Sequence, residues 1–457
     1  MKVVVAGGGI SGLATAHALL EREPGLDLTV YESEEAAGGK IRTERTSDGF
    51  LCEWGVNAFL DNKPRTLELA GMLGLEPLRS FDASRKRYIF SEGVLHRLPE
   101  SPPSFFLSGF LSLAGRLRIV GEMFVAPGKN PEETLAEFAT RRLGREAFEK
   151  MIDPMASGVY AGDATALSVR SCFPRIYEIE QEYGSLIRGL ISLQKKARRE
   201  GQKDKPSAAP GGKLTSFSEG MGMLIHALSQ QLGPRLQTGK GVASIVREGR
   251  TWSVRLSSGE EIRADVVVLA VPAYAAREIV AGCSSTISEV LGRIPYPSLA
   301  ICSLGFIKEK ISNALDGFGF LVPSREKRNV LGTLWDTSIF PGRAPEGYVM
   351  LRSMVGGARA SELALLPEDR IVDLVRKELK EIMGIDALPD FARVFRHEKA
   401  IPQYLRGHAE GLARVEKAVS EMPGLYLTGN ALKGVALNDC VTNAFDLSRK
   451  ISAYLNE

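Results

Sequence analysis

The chain has 457 residues, of which 44% are hydrophobic and 25% are charged, as in an ordinary globular protein. This length predicts two or three lobes rather than one compact core. The formal net charge of +3 gives no whole-chain argument for nucleic acid as a partner. The five cysteines form no CxxC and no Cys/His pair at metal spacing, so we predict neither a disulfide framework nor a bound metal.

The N-terminal residues and the apolar runs of the chain indicate where the protein is located in the cell. The first predicted strand begins at residue 3, so we expect no signal or transit peptide. No uncharged apolar run reaches the roughly 18 residues of a membrane-spanning helix. We therefore expect reduced thiols and a cytoplasmic location.

The N-terminus carries a nucleotide-binding pattern. A predicted strand, Lys2–Ala6, is followed by Gly7-Gly8-Gly9-Ile10-Ser11-Gly12, which matches G-x-G-x-x-G, and then by a predicted helix. Gly7 suits the tight turn, Gly9 lets the backbone approach a pyrophosphate, and Gly12 lets the helix pack on the strand. The helix N-terminus offers unpaired N–H groups to phosphates. A second predicted strand ends at Glu32, where an acid binds ribose hydroxyls and disfavours a 2′-phosphate.

Three features favour FAD over a nicotinamide cofactor. The segment Gly38-Gly39-Lys40-Ile41-Arg42 extends the phosphate contact and adds positive charge, and only one G-x-G-x-x-G is present. A closing segment, Gly429–Asp439, leads into a predicted helix whose N-terminus can stabilise negative charge on a reduced flavin. The five histidines form no cluster with a nucleophile, so we predict no catalytic side chain and assign the redox step to the flavin.

The order of elements predicts an α/β fold with a discontinuous, Rossmann-like FAD-binding domain. We assign residues 1–80, 206–294 and 409–457 to this domain, 81–205 to a mostly helical segment and 295–408 to an inserted α+β substrate-binding domain. Apolar residues at helical spacing between 113 and 124 fit either a core helix, which periodicity favours, or an amphipathic helix in a membrane interface. The basic stretch 194–213 fits a solvated connector, with contact to anionic lipid as the alternative.

Several motifs taken together resemble the protoporphyrinogen oxidase family. Besides the two glycine motifs, they are Ser157-Gly158-Val159-Tyr160-Ala161-Gly162-Asp163, Gly317-Phe318-Gly319-Phe320-Leu321-Val322-Pro323, Ile401-Pro402-Gln403-Tyr404 and Gly434-Val435-Ala436-Leu437-Asn438-Asp439-Cys440. They occur in order from Met1 nearly to the end of the chain. The first motif is shared by many flavoproteins, and the last four are more specific.

The resemblance implies an FAD enzyme of haem synthesis that takes six electrons from protoporphyrinogen IX to give protoporphyrin IX. Oxygen is the expected acceptor and hydrogen peroxide the expected by-product. Members of the family have an FAD domain, a substrate domain and a helical membrane-binding domain, here 81–205. The resemblance further implies a homodimer, peripheral on the cytoplasmic face of a membrane, that hands its product to ferrochelatase.

The resemblance also implies site residues. For the tetrapyrrole they are Arg87, as the partner of a propionate, with Gly158, Phe318, Leu321, Leu334 and Met354. For FAD they are Gly7, Gly8, Gly9, Ile10, Ser11, Gly12, Glu32, Ser33, Gly39, Lys40, Arg42, Gly55, Val56, Asn57, Ala58, Val242, Gly429, Asn430, Val435, Ala436 and Leu437. Val56 departs from the proline common after this glycine in the family, and the position of Lys40 is variable in the family.

Three alternatives stay open. The coproporphyrinogen-oxidising branch has similar architecture, but it tends to have proline where Asn438 stands, which favours the protoporphyrinogen branch. An amine oxidase or carotenoid desaturase would share only the FAD motifs. A non-enzymatic flavin-binding membrane scaffold has no support in the substrate segment.

Overall fold

The computed structural model of the protein describes residues 1–100, 104, 109–199 and 212–457. Parts of the predicted helical segment 81–205 and of the basic stretch 194–213 lie outside the described residues. The described helices are α1 Ile10–Arg22, α2 Pro64–Met72, α3 Leu113–Val120, α4 Leu135–Leu143, α5 Arg145–Ala147, α6 Asp153–Tyr160, α7 Val169–Cys172, α8 Pro174–Tyr183, α9 Leu186–Arg199, α10 Gly222–Leu232, α11 Ala273–Val280, α12 Ser285–Gly292, α13 Asp336–Ile339, α14 Glu368–Met383, α15 His408–Ser420 and α16 Leu437–Leu455.

The strands group into two main sheets and three small ones. The described strands are β1 Lys2–Ala6, β2 Asp27–Tyr31, β3 Thr43–Arg45, β4 Leu51–Glu53, β5 Phe59–Leu60, β6 Leu78–Arg79, β7 Arg87–Ser91, β8 Val94–Arg97, β9 Leu214–Ser216, β10 Leu236–Gln237, β11 Val242–Glu248, β12 Thr251–Leu256, β13 Glu261–Ala264, β14 Val266–Leu269, β15 Leu299–Ile307, β16 Gly319–Leu321, β17 Val330–Trp335, β18 Tyr348–Gly356, β19 Phe391–His397 and β20 Leu425–Leu427.

A parallel five-stranded sheet, in the order β10-β2-β1-β14-β20, joins both ends of the chain. Its central strands β1 and β14 are apolar at every position except Lys2, because both faces are covered. Val3 and Val5 pack with α1 and α16 on one side, whereas Val4 packs on the other side with the β11–β13 sheet and with α11 and α12. The fold is therefore α/β, as predicted, and the strand from the N-terminus lies two places from the strand that precedes the last helix.

The second main sheet has seven strands in the order β19-β15-β18-β17-β16-β7-β8. One face packs on α14 through Ile371, Val375 and Leu379. Strands β7 and β8 lie inside the range 81–205 that the sequence analysis assigned to the helical segment. They join this sheet because β7 pairs in parallel with β16, more than two hundred residues away, a long-range pairing that local periodicity does not register.

Helices α3 to α9 form the helical segment between β8 and β9. The interpretation of residues 113–124 as a core helix is wrong, because Leu113, Leu117 and Phe124 are 66%, 61% and 82% exposed. Periodicity places these side chains on one face of a helix but does not say what that face contacts. Nowhere in the described part of the chain does a helix combine the length and apolar character needed to cross a membrane.

Candidate active site

The turn between β1 and α1 forms a glycine cradle at the carboxyl edge of the parallel sheet. Gly7 has a φ of +106°, and a Cβ there would lie 2.7 Å from the carbonyl oxygen of Ala270. A Cβ on Gly12 would lie 1.9 Å from the carbonyl oxygen of Gly7. By contrast, a Cβ on Gly9 would meet no atom of the described residues within 4 Å, so this glycine borders open space. The cradle leaves room where a pyrophosphate approaches the backbone.

The first turn of α1 suits an anion. Gly9 precedes the helix, and no side chain caps its first turn. The free N–H groups and the positive end of the helix dipole therefore point at the open space above Gly9. Ile10 is half-buried and Ser11 is buried beside this turn. These features fit the diphosphate of FAD.

Glu32 follows β2 and lies under the glycine turn. Its Oε2 accepts a hydrogen bond from the Gly8 amide at 2.6 Å, and its Oε1 accepts one from the Glu34 amide at 2.9 Å. Ser33 lies against Gly241, where a Cβ would approach the Ser33 Cβ to 3.0 Å, and Val242 follows half-buried. The structure thus brings three predicted FAD residues, Glu32, Ser33 and Val242, to one edge of the sheet.

The closing segment reaches the same edge from the C-terminus. Helix α16 begins at Leu437 after Ala436, which provides no side-chain cap, and Val435 and Ala436 line the approach. The Asn430 carbonyl accepts a hydrogen bond from the Tyr404 hydroxyl at 2.5 Å, and Gly429 precedes it with a φ of +129°. An uncapped helix start offers donors to a flavin carbonyl, which fits the predicted position of the ring.

Asn438, which the sequence analysis used to separate two family branches, is buried away from solvent. Its Oδ1 accepts a hydrogen bond from Thr66 Oγ1 at 2.6 Å, and its Nδ2 donates to the Leu60 carbonyl at 2.9 Å. The side chain therefore ties α16 to α2 and β5. Both polar atoms of the Asn438 side chain are thus used in contacts between these elements.

The loop Gly55-Val56-Asn57-Ala58 connects the FAD segment to the second sheet. The Gly55 carbonyl accepts a hydrogen bond from Arg352 Nη1 of β18 at 3.1 Å. The preceding Trp54 stacks on Phe395 of β19 at 4.7 Å between ring centres, and its carbonyl lies 2.9 Å from His397 Nε2. Burial lowers the pKa of His397, so the neutral ring donates from Nε2 here. The four half-buried residues of the loop thus lie between the FAD segment and the seven-stranded sheet.

Lys40 and Arg42 sit beside this loop rather than over the glycine cradle. The Lys40 ammonium donates to the carbonyls of Lys399 and Ala400, and burial lowers its pKa to about 8. The Arg42 guanidinium lies 5.4 Å from the centre of the Trp54 ring. Gly39 is exposed next to them. The predicted phosphate contact of the two cations remains a prediction.

Behind the loop lies a buried group of two carboxylates and two guanidinium groups, here called the junction cluster: Glu53, Asp336, Arg343 and Arg352. All four are at most 3% exposed. Arg352 Nε lies 3.0 Å from Asp336 Oδ2, and Arg343 Nη1 lies 3.6 Å from Glu53 Oε1. Burial raises the pKa of Asp336 and raises that of Glu53 to about 7. These charges come from both domains and meet under the loop.

The predicted substrate residues share one face of the seven-stranded sheet. Leu321, Gly332 and Met354 stand directly opposite one another across β16, β17 and β18. Leu334 lies two residues along from Gly332, and Arg352 lies two residues along from Met354, so both project to the same face. Helix α14 covers the other face of the sheet. The face that carries these residues lies toward the loop 55–58, as the bond from Arg352 to the Gly55 carbonyl shows.

Gly158 of α6 packs against this face. A Cβ at Gly158 would lie 2.9 Å from Leu321 Cδ2, and so would a Cβ at Gly332. The Leu321 side chain therefore lies between two glycines that leave it space. Asp153 anchors the start of α6 by accepting from the Ser324 amide at 2.8 Å and from Arg359.

Arg87 begins β7 at the open end of the same face. Its guanidinium carbon lies 5.3 Å from the centre of the Phe318 ring, and its side chain is exposed to solvent. Among the described residues, no carboxylate forms an ion pair with Arg87, whereas the nearby Lys86 and Arg97 each have one. Neighbouring protein atoms partly desolvate the guanidinium of Arg87, which lowers its pKa. The group nevertheless stays charged at neutral pH. Arg87 is thus a cation held over an aromatic ring beside the apolar face.

Sequence analysis missed Gly332 and Arg352. A glycine inside the strand Val330–Trp335 signals a close approach by another group. A charge inside the apolar strand Tyr348–Gly356 signals a buried partner. Both signals were present in the sequence, but the partners, Leu321 and Asp336, lie on other strands or helices.

Comparison with known proteins agrees with this architecture. The family model for flavin-containing amine oxidoreductases matches residues 10–451. The chloroplastic protoporphyrinogen oxidase of Oryza sativa subsp. japonica is 34% identical over 99% of this chain and 88% of that protein. The coproporphyrinogen III oxidase of Bacillus subtilis is 32% identical over 96% of this chain and 95% of that protein.

A solved structure from Exiguobacterium sp. 255-15, provisionally named a protoporphyrinogen oxidase, superposes with a TM-score of 0.82 at 26% identity and covers 100% of this chain and 99% of that one. The prediction of FAD as the cofactor is confirmed at the level of the family, and the cradle residues fit it. The protein belongs to the family of flavin-containing amine oxidoreductases.

Proposed function

We propose that the protein oxidises protoporphyrinogen IX to protoporphyrin IX, with molecular oxygen as the acceptor. The observation that carries the proposal is the apolar face of Leu321, Leu334 and Met354, which ends at the unpaired guanidinium of Arg87 and adjoins the loop 55–58. A flat, apolar macrocycle with carboxylates at one edge matches this distribution of surface and charge. Relatives with this activity in their names align over the whole chain.

A bound flavin would supply the redox chemistry of this six-electron oxidation, which in three two-electron cycles would convert three oxygen molecules to three molecules of hydrogen peroxide. The residues of this chain bind and orient. Leu321 and Leu334 exclude water from the macrocycle face, and Gly158 lets α6 approach it. Arg87 forms a charge-assisted hydrogen bond to a propionate.

A two-substrate assay tests the proposal. Purified protein is given protoporphyrinogen IX or coproporphyrinogen III, and porphyrin fluorescence and hydrogen peroxide are followed. We expect higher kcat/KM with protoporphyrinogen. Faster turnover of coproporphyrinogen assigns the protein to the second branch, whose Bacillus member is nearly as similar. No turnover of either substrate refutes the proposal.

The role of Arg87 is tested by Arg87→Ala. Loss of a charged hydrogen bond costs about 1.5–3 kcal/mol, so KM should rise at least tenfold with kcat little changed. Arg414→Ala, which removes an exposed arginine from the remote helix α15, is the control. Unchanged kinetics of the Arg87 variant would show that the propionate is held elsewhere.

We further propose that the exposed face of α3 and the turn after it contacts a membrane, with the protein peripheral on the cytoplasmic side. Leu113, Leu117, Val120 and Phe124 present apolar side chains to solvent. Exposed apolar side chains at helical spacing favour the surface of a bilayer. Exposed apolar patches of this kind commonly mark a surface that contacts a membrane or another protein.

Sedimentation with anionic and neutral liposomes tests this contact. We expect the protein to sediment with anionic liposomes and the double variant Leu117→Glu/Phe124→Glu to stay in the supernatant while keeping full activity in detergent. Equal recovery of both proteins in the supernatant would refute membrane contact through this face. A homodimer and transfer of the product to ferrochelatase remain proposals from the family resemblance, and light scattering tests the first.

A further inference from the structure

A small basic pocket adjoins Arg87 at the open end of the apolar face. It has a volume of about 40 Å³ and includes Arg85, Arg87 and Lys213 in its lining, together with Asp82 and the hydroxyl-bearing Ser80 and Ser84. This volume is close to that of one carboxylate group or one to two waters. The pocket therefore has the size of an anionic group rather than of a whole ligand.

The charges of the pocket do not balance. Three cationic side chains face one carboxylate, and that carboxylate, Asp82, is shared between Lys213 Nζ at 3.0 Å and Arg85 Nε at 3.9 Å. The hydrogen bond from Lys213 lowers the pKa of Asp82, which is therefore ionised at neutral pH. The net charge of the pocket is positive, and its cations are partly exposed and able to exchange partners.

The pocket comes together from distant parts of the chain. Lys213 precedes β9, which pairs with β6, while Arg87 starts β7 in the other sheet. The Lys213 amide donates to Asp61 Oδ1 at 2.7 Å, which fixes the backbone at the position from which the ammonium reaches Asp82. Lys213 thus has an anchored backbone and a partly exposed ammonium group.

We propose that Lys213 binds a second carboxylate of the substrate, next to the one held by Arg87. This inference rests on the proposed function, because the porphyrinogens of both branches carry propionates on adjacent rings, two in protoporphyrinogen IX and four in coproporphyrinogen III. One propionate lies on Arg87 over Phe318, and the neighbouring propionate enters the pocket, where Lys213 exchanges Asp82 for it. Asp82 competes with the substrate and so keeps the empty pocket from holding other anions tightly.

Two variants with opposite expected effects test the proposal. Lys213→Gln removes the cation, and we expect KM for protoporphyrinogen to rise about tenfold while kcat is unchanged. Asp82→Asn removes the competing carboxylate, and we expect KM to fall severalfold. The control, Lys310→Gln, removes the lysine of another exposed Lys–Asp pair, with Asp390 at 2.6 Å, and should leave KM unchanged.

The dimethyl ester of protoporphyrinogen supplies a second readout, because it has no carboxylates. Lys213→Gln should not change KM for the ester. Unchanged KM with the free acid in Lys213→Gln, or an equal rise with acid and ester, would overturn the assignment of Lys213. Failure of the wild-type protein to oxidise any porphyrinogen would instead refute the proposed function, so the two failures are distinguishable.

Discussion

Two buried groups of charges in this protein differ in how completely they are paired. In the helical segment, Arg142 lies between Glu122 and Glu180, and all three side chains are fully buried. Arg142 Nη1 donates to Glu122 Oε1 and to the Val125 carbonyl, both at 2.9 Å. Glu122 also accepts from Ser185 Oγ at 2.6 Å and from the Leu186 amide at 2.9 Å. We call these three residues the helical cluster.

The junction cluster is equally buried but incompletely paired. Within the residues that the structure describes, Asp336 Oδ1 and Arg343 Nε and Nη1 have no hydrogen-bond partner. A buried polar atom without a partner costs free energy, so its persistence points to a role other than stability. The cluster adjoins the loop 55–58 and the predicted flavin. The difference indicates that the helical cluster holds the fold, whereas the junction cluster positions the active site.

The largest expected effect is on stability, in the helical cluster. Arg142→Met leaves the buried Glu122 without its cation and leaves Glu180 with Arg141 alone, at 2.8 Å, which should lower the free energy of unfolding by about 3–5 kcal/mol. Denaturant unfolding measures the loss. The folded fraction should keep the wild-type kcat, and a stability loss below about 1 kcal/mol would show that the cluster is not a structural anchor.

The next effect is on activity, in the junction cluster. Arg352→Lys keeps a charge beside Asp336 but loses the guanidinium bond to the Gly55 carbonyl. Displacement of the loop should lower kcat by tenfold or more and alter the flavin absorption spectrum, with little change in KM. Arg142→Lys is the matched control and should lower stability without altering the spectrum of the folded protein. An unaltered spectrum and kcat in Arg352→Lys would remove the positioning role.

A third prediction concerns pH. Burial raises the pKa of Glu53 from 4.5 to about 7, so the folded protein binds this proton more tightly than the unfolded chain. The contribution of this proton to the free energy of unfolding is therefore fully present below about pH 4.5 and is lost as pH rises through about 7. Between these values the free energy of unfolding should fall by up to about 1.4 kcal/mol per pH unit. Glu53→Gln should flatten this slope between pH 5 and 7 relative to the wild type. Parallel stability curves for the two proteins would contradict the raised pKa.

The smallest effect is expected at the solvent-exposed edge of the same junction. Arg393 of β19 pairs with Glu44 of β3 at 2.6 Å, but about half of the arginine side chain is exposed. Arg393→Ala should cost less than about 1 kcal/mol in the free energy of unfolding, because solvent screens the pair. A loss as large as that of Arg142→Met would show that burial is not what makes the pairing of Arg142 more stabilising than that of Arg393.

Local sequence signals predicted the nucleotide-binding half of the site, and the flavin they indicate is confirmed at the level of the family. The turn Gly7–Gly12, the acid at Glu32 and the uncapped start of α16 each depend on neighbouring residues, and the structure brings them to one edge of the parallel sheet. The substrate half was predicted only by resemblance. Leu321, Leu334 and Met354 share a face because three strands align, and no periodicity within one strand reveals that register.

Two local predictions lacked information that only packing provides. The apolar stripe of α3 has the period of a helix in either a core or an interface, and only the arrangement of its neighbours left it exposed. Strands β7 and β8 pair with each other but fell in a segment predicted as helical, and their place in the second sheet depends on the pairing of β7 with β16, far along the chain.

By itself the sequence determined that this protein binds a dinucleotide, because a turn, a helix start and a strand-end acid are set by residues close together in the chain. The tertiary structure decided which charges lie under the loop 55–58 and which surround Arg87. The side chains of Glu53, Arg352 and Lys213 contact groups that are distant in the sequence, such as the Gly55 carbonyl, which lies 297 residues before Arg352. Burial and electrostatic pairing depend on distance in space, which the order of residues does not specify.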